Sequence, residues 1–151
     1  MTIKASEVKL LREKTGLGMM ECKNALVESK GDLELAITNL RKNSALKAEK
    51  KSSRTAAEGR IISKIDSSEN LAVILEVNCE TDFVAKDDSF IEFCEEVLDS
   101  CIQNPDSSLD QLSEEKLEEK RQALIQKIGE NIVVRRRAVS YTHLTLPTIY
   151  S

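Results

Sequence analysis

The chain has no tryptophan, three phenylalanines and two tyrosines, so aromatic residues make up 3% of its 151 positions. Its one histidine lies close to the end, and its four cysteines (Cys22, Cys79, Cys94, Cys101) contain no Cys-x-x-Cys pair. A zinc set needs closely spaced Cys and His, and general acid–base chemistry most often uses His, so neither has its usual residues. The five glycines form no phosphate-cradling loop. No apolar run approaches the roughly 20 residues that span a bilayer. Nothing like a signal or transit segment precedes Ser6-Glu-Val-Lys-Leu-Leu11. The expectation is a cytoplasmic protein with reduced thiols.

What is present is an ordinary globular composition, 40% hydrophobic and 32% charged with a formal net charge of −4. An acidic balance argues against a protein dominated by contacts to phosphate backbones. The length allows one medium domain, or a small module plus a partial one.

Residues 5 to 42 carry three short helical patterns. Ser6 can cap the first, which runs to about Lys14 with Val8 and Leu11 on one face and Gly16 at its end. The second runs from about Met19 to Lys30, with Met19, Cys22, Leu26 and either Ala25 or Val27 inward, and stops at Gly31. Asp32 caps the third, where Leu33, Ala36, Ile37 and Leu40 recur at i, i+3, i+4 and i+7. Three short helices with glycine-marked corners make a small bundle. At the first corner, Thr15-Gly-Leu-Gly-Met-Met20, the methionines either fill the bundle or stay partly exposed as a contact surface; the pattern is compatible with both.

From Arg41 to Arg60 seven basic residues face only Glu49 and Glu58. With no aromatic in the run for base stacking, a charged linker is the simpler reading. Two strands follow, Arg60 to Ile65 and the β-branched run Leu71 to Val77, joined by a turn-rich stretch. A helix from about Asp87 to Gln103 carries Phe90, Phe93, Cys94, Val97, Leu98, Cys101 and Ile102 at helical spacing. Ser113 can cap another that ends at Gly129, with Leu117, Leu124, Ile125 and Ile128 inward. Asn131 to Val134 reads as a third strand. Elements in this order predict an α+β unit with an antiparallel sheet.

Between the second strand and its following helix lies Asn78-Cys-Glu-Thr-Asp-Phe-Val-Ala-Lys-Asp87. A loop held between rigid elements is exposed yet positioned. From position alone, Phe83 packs under the next helix and Asp82 caps a turn; the alternative is that both face a partner. Glu80, Asp82, Asp87 and Asp88 lie close in sequence but lack the calcium-loop pattern and its central glycine, which makes them solvated loop acids.

Cys79-Glu-Thr-Asp-Phe-Val-Ala-Lys-Asp87 resembles the Thr-Asp-Phe-Val-Ala motif of the bacterial elongation factor Ts family, the nucleotide-exchange factors for elongation factor Tu. Arg12-Glu-Lys-Thr-Gly-Leu-Gly-Met-Met20, Gly31-Asp-Leu-Glu-Leu-Ala36 and Lys127-Ile-Gly-Glu-Asn131 agree, in the family's order and near its spacing. The resemblance implies an α+β protein. Residues 1–43 would be a three-helix ubiquitin-associated-like domain, 44–59 a basic linker, and 60–137 the first half of an antiparallel-sheet-plus-helices core of the dimerisation type. It implies no catalytic residue, metal or cofactor, and no membrane or direct nucleic-acid contact. The implied partner is elongation factor Tu, GDP-bound and nucleotide-free. Arg12, Met19, Met20 and Lys23 would meet its nucleotide-binding domain. Phe83 would act as a wedge that disturbs the Mg²⁺ site, with Asp82 orienting it or pairing with the partner, and Thr81 and Val84 completing the motif. The alternative is an adaptor that binds ubiquitin-like or nascent-chain partners through the three helices; it leaves the Thr81–Val84 stretch unexplained.

Residues 138–151 read differently from the rest. They contain no charged residue, which a chain of this composition gives by chance roughly once in two hundred draws. Val139 to Leu144 resembles a translated sequencing-library adapter, and the expectation is a non-native tail on a truncated chain. The family has a functional histidine in a Ser-Tyr-x-His context further along. Ser140-Tyr-Thr-His143 has that form but follows Arg135–Arg137 too closely, so His143 is assigned no role.

Overall fold

The chain begins with helix α1 (Ala5–Thr15). The computed structural model describes residues 3–66, 68, 70–108 and 115–141. The helix starts before Ser6: Lys4 is the N-cap, and its N–H donates to the Glu7 carboxylate at 3.1 Å, one half of a capping box. It ends at Gly16 in the left-handed region, and helix α2 (Met19–Glu28) follows Gly18. Cys22, Ala25 and Leu26 of α2 are buried, but Met19 and Val27 are not. Met19 was expected to point inward. It is the first helical residue, at the open end of the corner, and Leu17 just before it joins the module's core instead.

Helix α3 (Leu33–Lys51) is capped by Asp32, whose carboxylate accepts the N–H groups of Glu34 and Leu35, both at 3.0 Å. It runs well into the stretch expected to be a linker. The run Ala45-Leu-Lys-Ala-Glu-Lys50 has high helix propensity, and Lys50 and Lys51 suit the negative end of the helix dipole. Ser44 and Ala48, one turn apart, are buried, and the Ser44 hydroxyl reaches Gln126. Basic residues of α3 pair with acids on other helices, Lys47 with Glu21 of α2 at 2.8 Å and Arg41 with Glu119 at 3.0 Å. The region reads as a linker by charge because the few residues that face inward are small.

The strands β1 (Glu58–Asp66), β2 (Leu71–Cys79) and β3 (Val133–Tyr141) form an antiparallel sheet in the order β1-β2-β3. Helices α4 (Asp82–Ala85) and α5 (Asp88–Gln103) follow β2, and α6 (Glu115–Ile128) precedes β3. This is the α+β architecture the pattern predicts. Asp87 caps α5 by accepting from Ser89 and Phe90; the expected cap Ser113 of α6 lies outside the described residues. Leu71, Val73, Leu75, Val77 and Cys79 point to one face of the sheet, where they meet Phe90, Phe93, Cys94, Val97, Leu98 and Cys101 of α5 and Leu124 and Ile125 of α6. The opposite face is open: Ile61, Ile65 and Ile74 are each at least half exposed.

Strand β3 is longer than expected. Asn131 and Ile132 are buried ahead of it, and pairing extends to Tyr141 opposite Leu71. Residues 138–141, expected in the tail, therefore belong to the sheet. Val139 and Tyr141 alternate onto the core face, where they pack partly buried, which gives those four residues a reason to pair. The register shifts between Glu76 and Val77, leaving Arg135 as the extra residue of a bulge.

Gly59, the second residue of β1, has φ +146°, and a Cβ there would stand 2.2 Å from the Val77 carbonyl oxygen. The clash is with backbone of the central strand, which cannot step aside. Gly59→Ala is expected to destabilise the fold by more than about 1 kcal/mol; a urea melt unchanged within error would show that the strand start can relax.

Candidate functional site

Strand β2 ends at Cys79 and the chain turns at once into α4, a single turn of helix. Thr81 is its N-cap, in extended conformation, with its hydroxyl oxygen accepting the Val84 N–H at 3.5 Å. Val84 and Ala85 point into the core. The helix is therefore pinned at its start and along one side, and the remaining side carries Asp82 and Phe83. Phe83 is 80% exposed, so it does not pack under α5, as position alone suggested. Nor is Asp82 a cap: its carboxylate takes the Lys86 ammonium at 2.9 Å, and that hydrogen bond holds its pKa below the ordinary aspartate value.

The turn after α6 supports this loop. Glu130 accepts from the N–H groups of Glu80 (3.1 Å) and Thr81 (3.0 Å) and from the Thr81 hydroxyl (2.7 Å). Asn131, almost fully buried, donates its N–H to the Glu80 carboxylate at 2.6 Å. Sequence reasoning used this turn only for its resemblance and gave it no role. The one available signal was an acid directly after a glycine-ended helix.

The second group of candidates sits on the α1–α2 corner. Met19 and Met20 are 58% and 65% exposed, and Arg12 and Lys23 are exposed too. Of the two alternatives left by the sequence, the methionines take the exposed one. Thr81 and Val84 differ from the other candidates: Thr81 spends its hydroxyl on Glu130 and Val84, and Val84 is 8% exposed. Both hold the loop and offer little surface.

The loop acids are held by the protein's own groups: Glu80 by Asn131 and Arg54, Asp82 by Lys86, Asp87 by the first turn of α5. Among the described residues no group of three or more His, Cys, Asp or Glu side chains is placed to hold a metal ion, and no helix is long and apolar enough to cross a membrane. All four cysteines are buried and free. Burial pushes the Cys79 thiol up to about 11 and the Cys94 thiol up to about 12, so neither supplies a thiolate nucleophile near neutral pH.

Fold and site together define an α+β protein in which a three-helix module packs on α6 beside a sheet covered on one face, and whose prominent feature is a clamped loop presenting an aromatic ring to solvent. The family model described as Elongation factor TS matches residues 80–149. Similar proteins named Elongation factor Ts include those of Marinobacter nauticus (57% identical over 134 residues, 89% of this chain and 46% of that protein) and Hahella chejuensis (53% over 137 residues, 91% and 48%). That of Pectobacterium carotovorum is 57% identical over 134 residues, 89% and 46%. The chain belongs to the elongation factor Ts family and corresponds to the N-terminal portion of its members. It spans just under half the length of these relatives.

Phe83→Ala should leave stability within about 0.5 kcal/mol of the parent, as for an exposed site. A loss of roughly 3–5 kcal/mol, the cost of emptying a phenylalanine site in a core, would place the ring inside. The buried thiols give a second check. Native protein at neutral pH should resist alkylation at all four cysteines and react fully once unfolded; fast labelling of Cys79 in native protein would contradict its burial.

Proposed function

We propose that this chain acts in translation elongation, in the cytoplasm, as the part of a guanine-nucleotide exchange factor that engages elongation factor Tu through Phe83 and Asp82 and through the α1–α2 corner. The observation that carries the reading is Phe83, an aromatic side chain 80% exposed on a helix of four residues. A ring held in water on a fixed loop gains its apolar burial only on meeting another molecule. The family name of the relatives supplies the process; Met19, Met20, Arg12 and Lys23 supply a second surface with both apolar area and positive charge.

An exchange factor needs no covalent chemistry. A GTPase holds its nucleotide through backbone amides, a lysine on the phosphates and Mg²⁺. A protein that binds better when those contacts are broken weakens nucleotide binding, and nucleotide weakens its binding by the same factor. A ten-thousandfold effect requires about 5.5 kcal/mol of differential affinity. Inserting a ring into a site open only in the nucleotide-free form is one way to obtain much of it. In this reading Phe83 is the wedge, Asp82 orients the approach, and the methionine corner grips the nucleotide-binding domain.

Release of a fluorescent GDP from elongation factor Tu, followed by stopped flow, should accelerate with chain concentration. Phe83→Ala should remove most of the acceleration, and Asp82→Ala part of it, with melting unchanged for both. No acceleration by the parent chain at concentrations where it binds elongation factor Tu would sink the proposal.

A further inference from the structure

The turn Gly129–Asn131 joins three parts of the molecule. The Lys51 ammonium, in the last turn of α3, donates to the Gly129 carbonyl. The Asn131 side-chain amide donates to the carbonyls of Ser52 (3.4 Å) and Arg54 (2.9 Å), just past that helix. The Glu130 carboxylate takes three hydrogen bonds from Glu80 and Thr81. Thus one side reaches the end of the helical module and the other the loop ahead of Phe83.

A helix of one turn has no stiffness of its own, because its nucleus forms at a loss. The direction of α4 is therefore set by what holds its ends. Val84 and Ala85 fix its inner side, and Thr81 fixes its start. The Thr81 hydroxyl donates to Glu130 and its oxygen accepts the Val84 N–H, a continuous chain from carboxylate to helix. An ionised acceptor makes such bonds shorter and stronger than a neutral one. With the ring 80% exposed, little packing orients it, and the backbone beneath it largely decides where it points. We infer that Glu130 is a positioning residue: it fixes the Glu80–Thr81 turn and, through Thr81, the angle at which Phe83 is presented. This rests on the reading of Phe83 as the side chain that enters the partner. The bonds of Asn131 and Lys51 extend the same turn to α3, so the loop is anchored to the end of the helix on which α1 and α2 also pack.

The test uses the full chain with Glu130→Ala, Glu130→Gln, Phe83→Ala and the Glu130→Ala/Phe83→Ala double variant. GDP release from elongation factor Tu is measured against chain concentration, with amide exchange at Glu80 and Thr81 in the free protein. Misplacing a reacting group by about 1 Å can cost a hundredfold; for a ring on a loosened turn the expected loss in maximal release rate is at least about tenfold. The half-saturating concentration should change by less than about threefold, a split that general destabilisation would not give. Glu130→Gln keeps an acceptor for the Thr81 hydroxyl and should fall between the parent and Glu130→Ala. In the Phe83→Ala background, Glu130→Ala should add nothing, since two residues acting through one contact are not additive. Amide protection at Glu80 and Thr81 should drop in Glu130→Ala.

A full additional loss in the double variant would show independent action and overturn the inference. So would a silent Glu130→Ala beside a damaging Phe83→Ala, and that outcome leaves the wedge reading intact. A silent Phe83→Ala overturns the wedge reading, and this inference with it. If Glu130→Ala does not fold, Thr81→Val removes the hydroxyl link at nearly constant shape and carries the same comparison.

Discussion

Leu71, Val73, Leu75, Val77 and Cys79 leave no surface to solvent, and they alternate along one strand that has neighbours on both sides. Each full burial of an aliphatic side chain contributes about 1.5–3 kcal/mol, so this row is the densest source of stability in the sheet unit. It also fixes register. A slip of one residue would turn Ala72, Ile74 and Glu76 inward and leave a carboxylate in an apolar layer. The same row sets where the exposed ring stands. Its last member, Cys79, is followed by the turn that Glu130 clamps, so the loop begins where the core ends. Little freedom remains between packing and presentation.

Much of this was legible from pattern. β2 declares itself by its β-branched run, α5 by Phe90, Phe93, Cys94 and Val97 at helical spacing, and α3 by the Asp32 cap. The failures share a cause. The second half of α3 looked like a linker because Ser44 and Ala48, its inward residues, carry little hydrophobic signal; their burial depends on α6, more than seventy residues away. β3 was read short because Arg135, Arg136 and Arg137 interrupt the apolar alternation, whereas a bulge and the alternation of Val139 and Tyr141 carry the strand through. Met19 was placed inward by helical period, but at a helix's first residue the period meets no neighbour. The exposure of Phe83 was undecidable locally: an aromatic at that spacing serves equally well under a helix, and only the burial of Val84 and Ala85 beside it determines which side faces water.

The open face of the sheet follows from the same alternation. With odd-numbered residues of β2 turned to the helices, Ile74 must face out, and Ile61 and Ile65 of β1 stand on the same side. Three exposed isoleucines on one sheet face differ from the singly scattered apolar residues that are ordinary on a soluble surface. The outer strands are better defended. Arg135, Arg136 and Arg137 on β3 and Lys64 on β1 place charge along the two edges, which discourages pairing with another chain. The Arg136–Glu76 pair adds charge beside the isoleucines.

The exposure of Phe83 has a consequence for how damage to this protein would show itself. Cells remove faulty chains largely by sensing unfolding, through chaperones and proteases that respond to lost stability. A side chain that contributes little to the folded state gives those systems little to detect. A variant altered at this ring would fold, accumulate and persist at normal abundance. Changes in the β2 row would instead clear themselves by degradation. Phe83 is therefore a position where error is far less visible to quality control than in the β2 row.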